Sequence, residues 1–381
     1  MQGTYDAIVV GLGAVGSATL YQLARRGVRA LGIDRFAPPH DRGSSHGDTR
    51  ITRLAIGEGD GYTPFAVRSH EIWRDIESAT GASLLTQTGG LVISSEKPRG
   101  TCHGTDFFRN TLAAARRFGI GHELLDAKAI RHRFPPFAVR DDEFGYYEPG
   151  AGFLRPEACI AAQLALAARH GAQVHCGERV LGFEERGGVV RLRSDAGEYE
   201  AGRLVVAAGP WLPGLLGETW TGRFAVRRQV LFWFAIDGPA EPFLPGRFPV
   251  FIWELAGQAQ PIYGFPAIDG AAGGVKVASE QHETMTTPDA MRREVAPDEW
   301  RTMFERQVRP FLPGLRAHCV KSAACLYTMT ADFHFVIAPH PGFPAITIAS
   351  PCSGHGFKHS AALGEALALS LAEARPLPAF G

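Results

Sequence analysis

The sequence predicts an α/β fold in which a Rossmann-like domain is combined with a second, α+β domain built on a largely antiparallel sheet. The chain has 381 residues, of which 45% are hydrophobic, enough for two domains with a sizeable core. A glycine-rich turn joins an apolar strand at residues 6–10 to a helix that ends at Gly27, and a second strand follows at residues 30–33. Residues 225–277 contain β-branched and aromatic runs typical of antiparallel strands. We therefore expect the second domain to be inserted into the first.

The glycine-rich turn has the pattern G-x-G-x-x-G, formed by Gly11, Gly13 and Gly16. In a dinucleotide site, the first glycine permits the tight turn, the second leaves space for the pyrophosphate, and the third lets helix and strand pack closely. The helix N-terminus offers free N–H groups and a partial positive charge to the phosphates. Asp34 ends the second strand and can accept hydrogen bonds from a ribose. This arrangement predicts a dinucleotide site, but the motif does not choose between FAD and NAD.

Residues 36–53 follow the second strand and are predicted to form a loop, because they contain two prolines and two glycines. The loop is expected near the mouth of the dinucleotide site, since open α/β sheets bind ligands at the carboxyl ends of their strands. A solvated polar loop is the alternative interpretation. The side chains suited to anion binding are Arg42, Ser44, Ser45, His46, Thr49, Arg50 and Arg53.

The remaining elements are predicted from the spacing of the apolar residues. Helical spacing predicts helices at residues 64–73, 106–118, 127–134, 155–170, 297–311 and 361–374. Strands are expected within 173–207 and 225–277, and at 86–94, 320–328, 335–338 and 346–349. Residues 141–152 have the polar, glycine-containing composition of a connection.

The composition does not favour binding to nucleic acid or to a membrane surface. Lys plus Arg and Asp plus Glu number 39 each, so the formal net charge is zero. No apolar run approaches the roughly 18 residues that cross a bilayer. The chain lacks the pattern of a signal peptide, so a cytoplasmic location is expected. The six cysteines are scattered without a C-x-x-C pair, and neither a disulfide framework nor a metal site is expected.

Several longer motifs are spread over essentially the whole chain. They are VVGLGAVGSATLYQLARRGV, GIDRFAPPHDRGSSHGDTRITR, TQTGGLVI, EPGAGFLRPEACI, VVAAGPW, YGFPAIDGAAGGVKVA, CLYTMTADFHFVI and SGHGFKHSAALGE. In sequence and in order, these motifs resemble those of the monomeric sarcosine oxidase and N-methyltryptophan oxidase family of flavoenzymes. The segments PPHDRGSSHGDTRI, CLYT and SGHGFK are much more specific than the glycine motif.

The resemblance implies an FAD-binding domain interleaved with the substrate domain. The implied FAD-binding domain comprises residues 1–85, 152–219 and 328–381, and the implied substrate domain comprises residues 86–151 and 220–327. The resemblance also implies a monomer that oxidises the secondary amine of an N-methyl amino acid such as sarcosine. The amine gives a hydride equivalent to flavin N5, and the resulting imine hydrolyses to an aldehyde and an amine. O2 then reoxidises the flavin and becomes H2O2.

The resemblance also assigns residues to the cofactor. Cys325 is the implied point of covalent flavin attachment, and His46 and Arg50 flank the isoalloxazine on that side. Positive charge from these two residues would favour the thiolate that attacks the flavin. The expected cofactor-binding residues are Gly11, Gly13, Gly16, Asp34, Arg35, Ser44, Ser45, Arg50, Val180, Gly209, Cys325, Gly354, Gly356 and Lys358.

Other residues are assigned to the substrate and to O2. Arg53 and Lys358 are expected to bind the substrate carboxylate, for which a guanidinium fork and a point charge are suitable partners. Lys276 is expected to activate O2, because a fixed cation stabilises developing superoxide. Tyr263 and Tyr327 are expected to line the substrate pocket. The alternatives are solvated cations for Arg53 and Lys358, a paired structural lysine for Lys276, and core positions for the tyrosines.

One position departs from the family's pattern. In sarcosine-type members a histidine follows the lysine of the GxKxx strand by four residues, whereas this chain has Glu280 there and His282 two residues further on. Either a gap brings His282 into place, or a carboxylate stands there and favours a cationic or larger amine. Two other function classes also stay open. These are a flavin-dependent dehydrogenase or D-amino acid oxidase-type enzyme that uses another acceptor, and a dinucleotide-binding protein without catalysis.

Overall fold

The computed structural model describes residues 3–96, 106–217, 220, 222–255, 260–280 and 283–380. The α-helices are α1 (Ala14–Ala24), α2 (Thr63–Thr80), α3 (Phe107–Arg117), α4 (Ala127–Arg133), α5 (Pro156–Arg169), α6 (Leu212–Leu216), α7 (Pro297–Met303) and α8 (Ser360–Glu373). The strands are β1 (Gly3–Val10), β2 (Ala30–Asp34), β3 (Arg50–Thr52), β4 (Leu85–Gln87), β5 (Gly90–Ser95), β6 (Glu123–Asp126), β7 (Glu143–Glu148), β8 (Gly152–Leu154), β9 (Gln173–Cys176), β10 (Val180–Arg186), β11 (Val189–Ser194), β12 (Glu198–Val206), β13 (Ala225–Ile236), β14 (Val250–Trp253), β15 (Ile262–Phe265), β16 (Val275–Ser279), β17 (Leu315–Met329), β18 (Val336–His340) and β19 (Phe343–Ser350). None of the helices in these ranges combines the length and the apolar character needed to cross a bilayer.

The first sheet has a parallel centre in which β9, β2, β1, β12 and β19 lie side by side. β10 and β11 continue it antiparallel beside β12, and β18 pairs antiparallel with β19. The end of β1 is a continuous apolar run because it is buried on both faces. Ala7 and Val9 pack in the cluster that contains residues of α1, α5 and α8. Ile8 and Val10 pack in the opposite cluster with residues of β11 and α6. The Rossmann-like prediction is confirmed by this layered arrangement.

The second sheet has the order β17, β13, β16, β15, β14, β5, β7, β6. Neighbouring strands in this described sheet are antiparallel, except that β5 and β14 pair in parallel. Large aromatic side chains from its strands, including Phe232, Phe234 and Trp253, form a core with residues of α4 and α7. The prediction of a largely antiparallel second sheet is confirmed.

The two sheets draw their strands from alternating parts of the chain. The first sheet takes β1, β2, β9–β12, β18 and β19, whereas the second takes β5–β7 and β13–β17. Strands β3, β8 and β4 form a small third sheet. In sequence, these three strands are interspersed among the strands of the two larger sheets. The strand sets agree with two interleaved domains, and the domain boundaries given above stay a prediction.

Residues 141–152 were expected to be a polar connection, and this expectation is wrong. They contain β7, which lies between β5 and β6 and is largely buried. Its polar residues are paired inside the protein, since the Glu148 carboxylate accepts hydrogen bonds from the N–H groups of Leu54 and Ala55 at 2.6 and 3.1 Å. Glu148 also accepts a hydrogen bond from the Tyr146 hydroxyl at 3.0 Å. Composition misses such a strand because its partners are distant in sequence.

Two predicted helices have different lengths in the structure. α2 continues past Trp73 to Thr80, because Ile76 extends its buried face, and Gly81 ends it in the left-handed conformation with φ +72°. The helix predicted at 297–311 consists of α7 followed by a π-helical turn at Phe304–Val308. The apolar spacing marks the buried side of both helices but does not determine where they end.

Candidate functional site

A cavity of about 630 Å³ lies at the carboxyl ends of the parallel strands. Four residues at or just beyond the ends of these strands line the cavity. Asp34 and Ser350 are the last residues of β2 and β19, and Gly11 and Gly209 follow β1 and β12. Ligands of open α/β sheets bind at this edge, where the crevice faces the helix N-termini. The predicted cofactor-binding residues on its wall are Gly11, Gly13, Asp34, Arg35, Ser44, Ser45, Arg50, Val180, Gly209, Gly354 and Gly356.

The glycine motif shapes the wall of this larger cavity. Gly11 has φ +85°, and a Cβ there would collide with the backbone of Ala207. A Cβ on Gly16 would overlap the carbonyl oxygen of Gly11, so this glycine permits close helix–strand packing. A Cβ on Gly13 would have the Ser45 Oγ, 3.7 Å away, as its neighbour among the described atoms. Gly13 therefore leaves the backbone open toward the cavity, as a pyrophosphate requires.

Asp34 and Arg35 hold the cavity wall through contacts with distant residues. The Asp34 carboxylate accepts hydrogen bonds from the N–H groups of Leu12, at 2.7 Å, and Phe36, at 2.8 Å. Each of its oxygens keeps a further lone pair for a ligand hydroxyl. Arg35 forms an ion pair with Asp289, with 2.8 Å between Nη1 and Oδ1. Asp289 belongs to the segment after β16, so this contact joins the cavity wall to the neighbouring strand set.

The loop after β2 contributes polar groups to the same wall. Arg50 donates hydrogen bonds to the carbonyl oxygens of Ser44, at 2.6 Å, and Thr49, at 2.8 Å. The Ser44 Oγ is buried and has no hydrogen-bond partner among the described residues. A buried hydroxyl normally has a partner, so this group is available to a bound phosphate. The open Gly13 backbone and the Ser44 hydroxyl therefore fit a bound dinucleotide.

A smaller cavity of about 80 Å³ adjoins the larger one. Arg50, Tyr327, Gly354 and Phe357 line both cavities, so the two meet at these residues. The predicted residues on the smaller wall are Arg50, Arg53, Tyr263, Lys276, Cys325, Tyr327, Gly354 and Lys358. Strand β3, strands β15, β16 and β17 of the second sheet, and the segment after β19 bring these residues together from distant parts of the chain.

A carboxylate that the sequence analysis missed lies between the two expected carboxylate-binding cations. Arg53 donates a hydrogen bond to Glu58 Oε2 at 2.6 Å, and Lys358 Nζ lies 3.3 Å from Glu58 Oε1. Lys358 also donates to the carbonyl oxygen of His355 at 2.8 Å. The side chains of all three charged residues are almost fully buried. Two cations around one carboxylate leave a net positive group, which suits a bound anion.

Lys276 is almost fully buried, with 2% of its surface exposed. Its Nζ donates hydrogen bonds to the carbonyl oxygens of Gly47, at 2.7 Å, and Thr49, at 3.0 Å. The ammonium also lies over the rings of Phe265 and Trp233, at 4.6 and 5.2 Å from their centroids. Burial, and then the charge of nearby Arg50, lower the pKa of Lys276 well below its usual value. Within the described part of the chain, Lys276 is thus paired with neutral groups and not with a carboxylate.

Two tyrosines form the other part of the smaller cavity. The hydroxyls of Tyr263 and Tyr327 are 3.5 Å apart, and the Gln229 amide lies 3.5 Å from the Tyr263 hydroxyl. Burial raises the pKa of Tyr263 to about 12 and raises the pKa of Tyr327 well above its ordinary value. Both hydroxyls therefore keep their protons at neutral pH. Glu280 lines the same cavity, and its charge contributes to the raised pKa of Tyr327. His282 lies outside the described residues.

Cys325 lies in β17 opposite Gln229 of β13 and is 1% exposed. It lines the smaller cavity, whereas Cys352 lines the larger one. Burial raises the pKa of the Cys325 thiol, while the charges of Arg50 and Lys276 act in the opposite direction. The protein thus places a buried thiol close to two cationic groups.

His46 does not supply the positive charge expected beside the flavin. Burial, followed by the charge of Arg50, lowers the pKa of His46 to about 3. The imidazole is therefore neutral at neutral pH, and its Nε2 has no hydrogen-bond partner among the described residues. His46 lines neither of these cavities. Gly16 also lies behind the cavity wall, where it packs against Gly11.

Two further site features escaped the sequence analysis because they depend on distant contacts. Glu58 lies between two glycines, five residues after Arg53 in sequence. Its place in the site becomes apparent only in the folded protein, where Lys358 lies next to it. Asp289 accepts hydrogen bonds from Arg35, at 2.8 Å, and from the Trp211 indole, at 3.2 Å. The only available signal for Glu58 was a charged residue within a glycine-bounded turn.

The fold and the adjoining cavities define a dinucleotide-dependent enzyme with a pocket for a small molecule. The sequence matches the family model described as FAD dependent oxidoreductase over residues 6–369. The chain belongs to this family of FAD-dependent oxidoreductases. The glycine motif left the choice between FAD and NAD open, and membership of this family identifies FAD as the cofactor.

Two curated relatives match all or nearly all of the chain. Monomeric sarcosine oxidase from Streptomyces avermitilis is 40% identical over 384 aligned residues, which cover 100% of this chain and 97% of the relative. N-methyl-L-tryptophan oxidase from Yersinia pestis is 32% identical and covers 98% of this chain and 96% of its own length. The resemblance to the sarcosine oxidase and N-methyltryptophan oxidase family is confirmed.

The fold is also similar to a solved structure. The open form of NikD, an unusual amino acid oxidase essential for nikkomycin biosynthesis, superposes with a TM-score of 0.82. The match covers 100% of this chain and 98% of that chain at 23% sequence identity. At this identity the match confirms the shared fold and carries no conclusion about substrate.

Proposed function

We propose that this protein is an FAD-dependent oxidase of a secondary amine, with an N-methyl amino acid as substrate. The amine is oxidised to an imine, which hydrolyses to an aldehyde and an amine, and O2 becomes H2O2. The single observation that carries the proposal is the small cavity, lined in part by buried cations, that meets the dinucleotide cavity at Arg50 and Tyr327. The similarity to a sarcosine oxidase and an N-methyl-L-tryptophan oxidase supports the reaction class. The first relative's name also supports a monomeric state.

The larger cavity is proposed to hold FAD. Gly13, Ser44 and the N-terminus of α1 would face the phosphates, and Asp34 would face a ribose. The flavin, when bound, supplies a two-electron acceptor that O2 can reoxidise. The protein's own contribution is to hold the substrate beside the cavity junction and to place charges around it.

The smaller cavity is proposed to hold the amino acid. Arg53 and Lys358 would bind its carboxylate, since together with Glu58 they form a buried group with net positive charge. Tyr263 and Tyr327 would line the pocket as neutral hydrogen-bond donors. Lys276 would provide the fixed charge for O2 reduction, because its ammonium is buried and, among the described residues, donates its hydrogen bonds to carbonyl and hydroxyl oxygens.

The proposal is tested with purified protein and a series of N-methyl amino acids. Under air, each substrate should yield equal amounts of H2O2 and aldehyde, and in the absence of O2 it should bleach the flavin absorbance. The alternative, a dehydrogenase or D-amino acid oxidase-type enzyme with another acceptor, predicts bleaching by the substrate with slow reoxidation in air. A flavin that no amino acid bleaches would contradict both.

A Lys358→Met variant tests the carboxylate assignment. The loss of one charge-assisted hydrogen bond should cost on the order of 1.5–3 kcal/mol, seen as a higher KM for the amino acid. The corresponding amino acid amide lacks the carboxylate charge, so its KM should change much less. An equal increase of both KM values would contradict the assignment.

We further propose that Cys325 holds FAD covalently. The thiol would form a C–S bond with the 8-methyl carbon of the flavin, the thiol and the methyl group would each lose one hydrogen, and O2 would take both as H2O2. The position of Cys325 on the wall of the smaller cavity supports this role. Arg50 and Lys276 would stabilise the thiolate needed for attack and the negative charge that develops on the flavin.

Acid precipitation and peptide mapping test the covalent bond. The flavin mass should precipitate with the chain and map to the peptide that contains Cys325. A Cys325→Ala variant should release its flavin, whereas a Cys352→Ala variant should retain it, although Cys352 lines the larger cavity. Release of flavin from the parent protein, or its retention by Cys325→Ala, would overturn the proposal.

A further inference from the structure

We propose that Glu157 is a positioning residue for Lys276, because its carboxylate supports the backbone turn that binds the lysine ammonium. This inference rests on the proposed function, in which Lys276 assists O2 reduction, and adds a residue that acts through Lys276. Glu157 lies in the first turn of α5 and lines neither of the two cavities. It is therefore placed to act through the turn of residues 47–49 and not on a bound molecule.

The turn of residues 47–49 contacts a carboxylate on one side and an ammonium on the other. The N–H groups of Gly47 and Asp48 donate hydrogen bonds to one oxygen of Glu157, Oε1, at 2.6 and 3.2 Å. The carbonyl oxygens of Gly47 and Thr49 accept hydrogen bonds from Lys276 Nζ at 2.7 and 3.0 Å. The Thr49 hydroxyl lies 3.1 Å from the same Nζ. The turn thus connects Glu157 to Lys276.

The backbone of this turn has a conformation that needs support. Gly47 has φ +95° and Asp48 has φ +68°, a left-handed conformation that is uncommon for a residue other than glycine. Successive N–H groups that converge in a turn form a site for an anionic oxygen. A carboxylate in the first turn of a helix is also stabilised by the helix dipole. Glu157 is therefore suited to keep the carbonyl groups of the turn directed at Lys276.

A second contact of the turn lies at the surface. The Asp48 carboxylate forms an ion pair with Lys321 Nζ at 2.6 Å, but half of the Lys321 side chain is exposed. Exposed ion pairs of this kind contribute little to stability. The Glu157 carboxylate is half-buried and accepts its hydrogen bonds from backbone groups. We therefore assign the support of the turn to Glu157.

The charge of Glu157 acts on Lys276 in the same direction as the turn. Burial lowers the pKa of Lys276, and Arg50 adds to this effect, whereas Asp48, Cys325 and Glu157 oppose it. Glu157 thus favours the ammonium form both by its charge and by directing the carbonyl groups. Its loss should lower the pKa of Lys276 further, so the lysine should lose its charge at lower pH than in the parent.

Nuclear magnetic resonance of lysine labelled with carbon-13 at Cε measures the ammonium without any need for catalysis. The chain has five lysines, and the signal that Lys276→Met removes belongs to Lys276. In the holoenzyme, Glu157→Ala should lower the pKa of Lys276 by about one unit or more. Glu157→Gln removes the charge but keeps an oxygen that can accept the two N–H groups, so its shift should be smaller and in the same direction.

Rapid mixing with O2 measures the consequence for the flavin. The flavin is first reduced photochemically, so the measurement does not depend on a substrate. At a pH above the pKa of Lys276, a fall of one unit leaves about tenfold less ammonium, and Glu157→Ala should slow reoxidation by about tenfold. In a Lys276→Met background the same change should alter the rate by less than about twofold, because the effect passes through the lysine.

Glu77→Ala is the matched control for a lost carboxylate that supports a turn. Glu77 Oε1 also accepts hydrogen bonds from two successive N–H groups, those of Leu84 and Leu85, at 2.7 and 2.9 Å. Glu77 belongs to α2 and lines neither of the two cavities. Its removal should lower the temperature of unfolding and leave the Lys276 titration and the reoxidation rate at their parent values.

The outcomes distinguish this inference from the proposed function. If Glu157→Ala leaves the Lys276 pKa unchanged, or slows reoxidation equally in the Lys276→Met background, Glu157 does not act through the lysine, although the oxidase proposal stands. If Lys276→Met itself reoxidises at the parent rate, the role of Lys276 in O2 reduction fails and this inference fails with it. If no N-methyl amino acid reduces the parent flavin, the proposed substrate class fails, while the titration and the photochemical experiment still decide the role of Glu157.

Discussion

Lys276 illustrates how burial changes the chemistry of one side chain. In sequence it is a single cation in an apolar strand, and in the structure its ammonium lies between aromatic rings and carbonyl oxygens. Desolvation disfavours the charged form, and the charge of Arg50 acts in the same direction. The residue proposed to assist O2 reduction therefore loses its proton at lower pH than an exposed lysine.

We expect Lys276→Met to slow reoxidation of the reduced flavin by O2 and to leave reduction by the substrate largely intact. In the parent protein, reoxidation should become slower as pH rises through the lowered pKa of Lys276, because the charge is lost there. The variant should lack this pH dependence. Rapid mixing of reduced enzyme with O2 measures the rate.

Lys321→Met is the matched control for this experiment. Lys321 lies 4.8 Å from the centroid of the same Trp233 ring, but it is half-exposed and paired with Asp48 at 2.6 Å. Its removal should leave both half-reactions unchanged. If Lys276→Met reoxidises normally but is reduced slowly, the lysine acts on the substrate instead.

At the scale of elements, the packing of α1 against α8 supports the glycine-rich turn at the start of α1. Gly364 of α8 has no room for a side chain, since a Cβ would lie 2.6 Å from the carbonyl carbon of Ala18 in α1. The two helices approach closely because both have small residues at their contact. This contact holds α1, whose N-terminus borders the larger cavity.

Gly364→Ala should therefore reduce the free energy of unfolding by about 1–3 kcal/mol, despite the higher helix propensity of alanine. Gly121→Ala is the control, because Gly121 is exposed and a Cβ there would meet no described atom within 4 Å. Urea unfolding curves of the two variants give the comparison. If Gly364→Ala and the parent had equal free energies of unfolding, α1 and α8 would be able to move apart and accommodate the methyl group without loss of stability.

At the scale of the whole molecule, buried neutral histidines connect stability to pH. His70 of α2 lies 2.7 Å from the Thr52 hydroxyl of β3, between Nε2 and Oγ1. Burial, followed by the charge of Arg74, lowers the pKa of His70 from 6.5 to about 4. As the pH falls below 6.5, the unfolded chain binds the proton before the folded protein does. Stability is therefore lost between pH 6.5 and about 4 and levels off below that range.

We expect a His70→Gln variant to lose less stability on acidification than the parent. The difference should approach roughly 3 kcal/mol between pH 7 and pH 4, since one pKa unit corresponds to about 1.4 kcal/mol. Urea unfolding at a series of pH values measures it. His132→Gln, which removes an exposed histidine, should follow the parent curve. A His70→Gln curve parallel to the parent would contradict the assignment.

The sequence by itself determined the features that depend on residues close to one another along the chain. The strand, the G-x-G-x-x-G turn and the helix form one continuous segment, so the roles of Gly11 and Gly13 in the turn could be predicted before any tertiary contact was known. The apolar run of β1 and the aromatic strands after residue 225 predicted the two kinds of sheet. Most of the site residues that the glycine motif and the family motifs assigned line one of the two cavities.

The tertiary structure decided what depends on distant groups and on burial. Glu58 contacts both Arg53 and Lys358 only because the chain brings these two cations, about 300 positions apart in sequence, to the same carboxylate. The polar strand β7 is stable inside a sheet because the N–H groups of Leu54 and Ala55 reach Glu148. His46 is neutral because folding removes it from water. A sequence records which groups can ionise, but solvation and the charges of distant neighbours set their state.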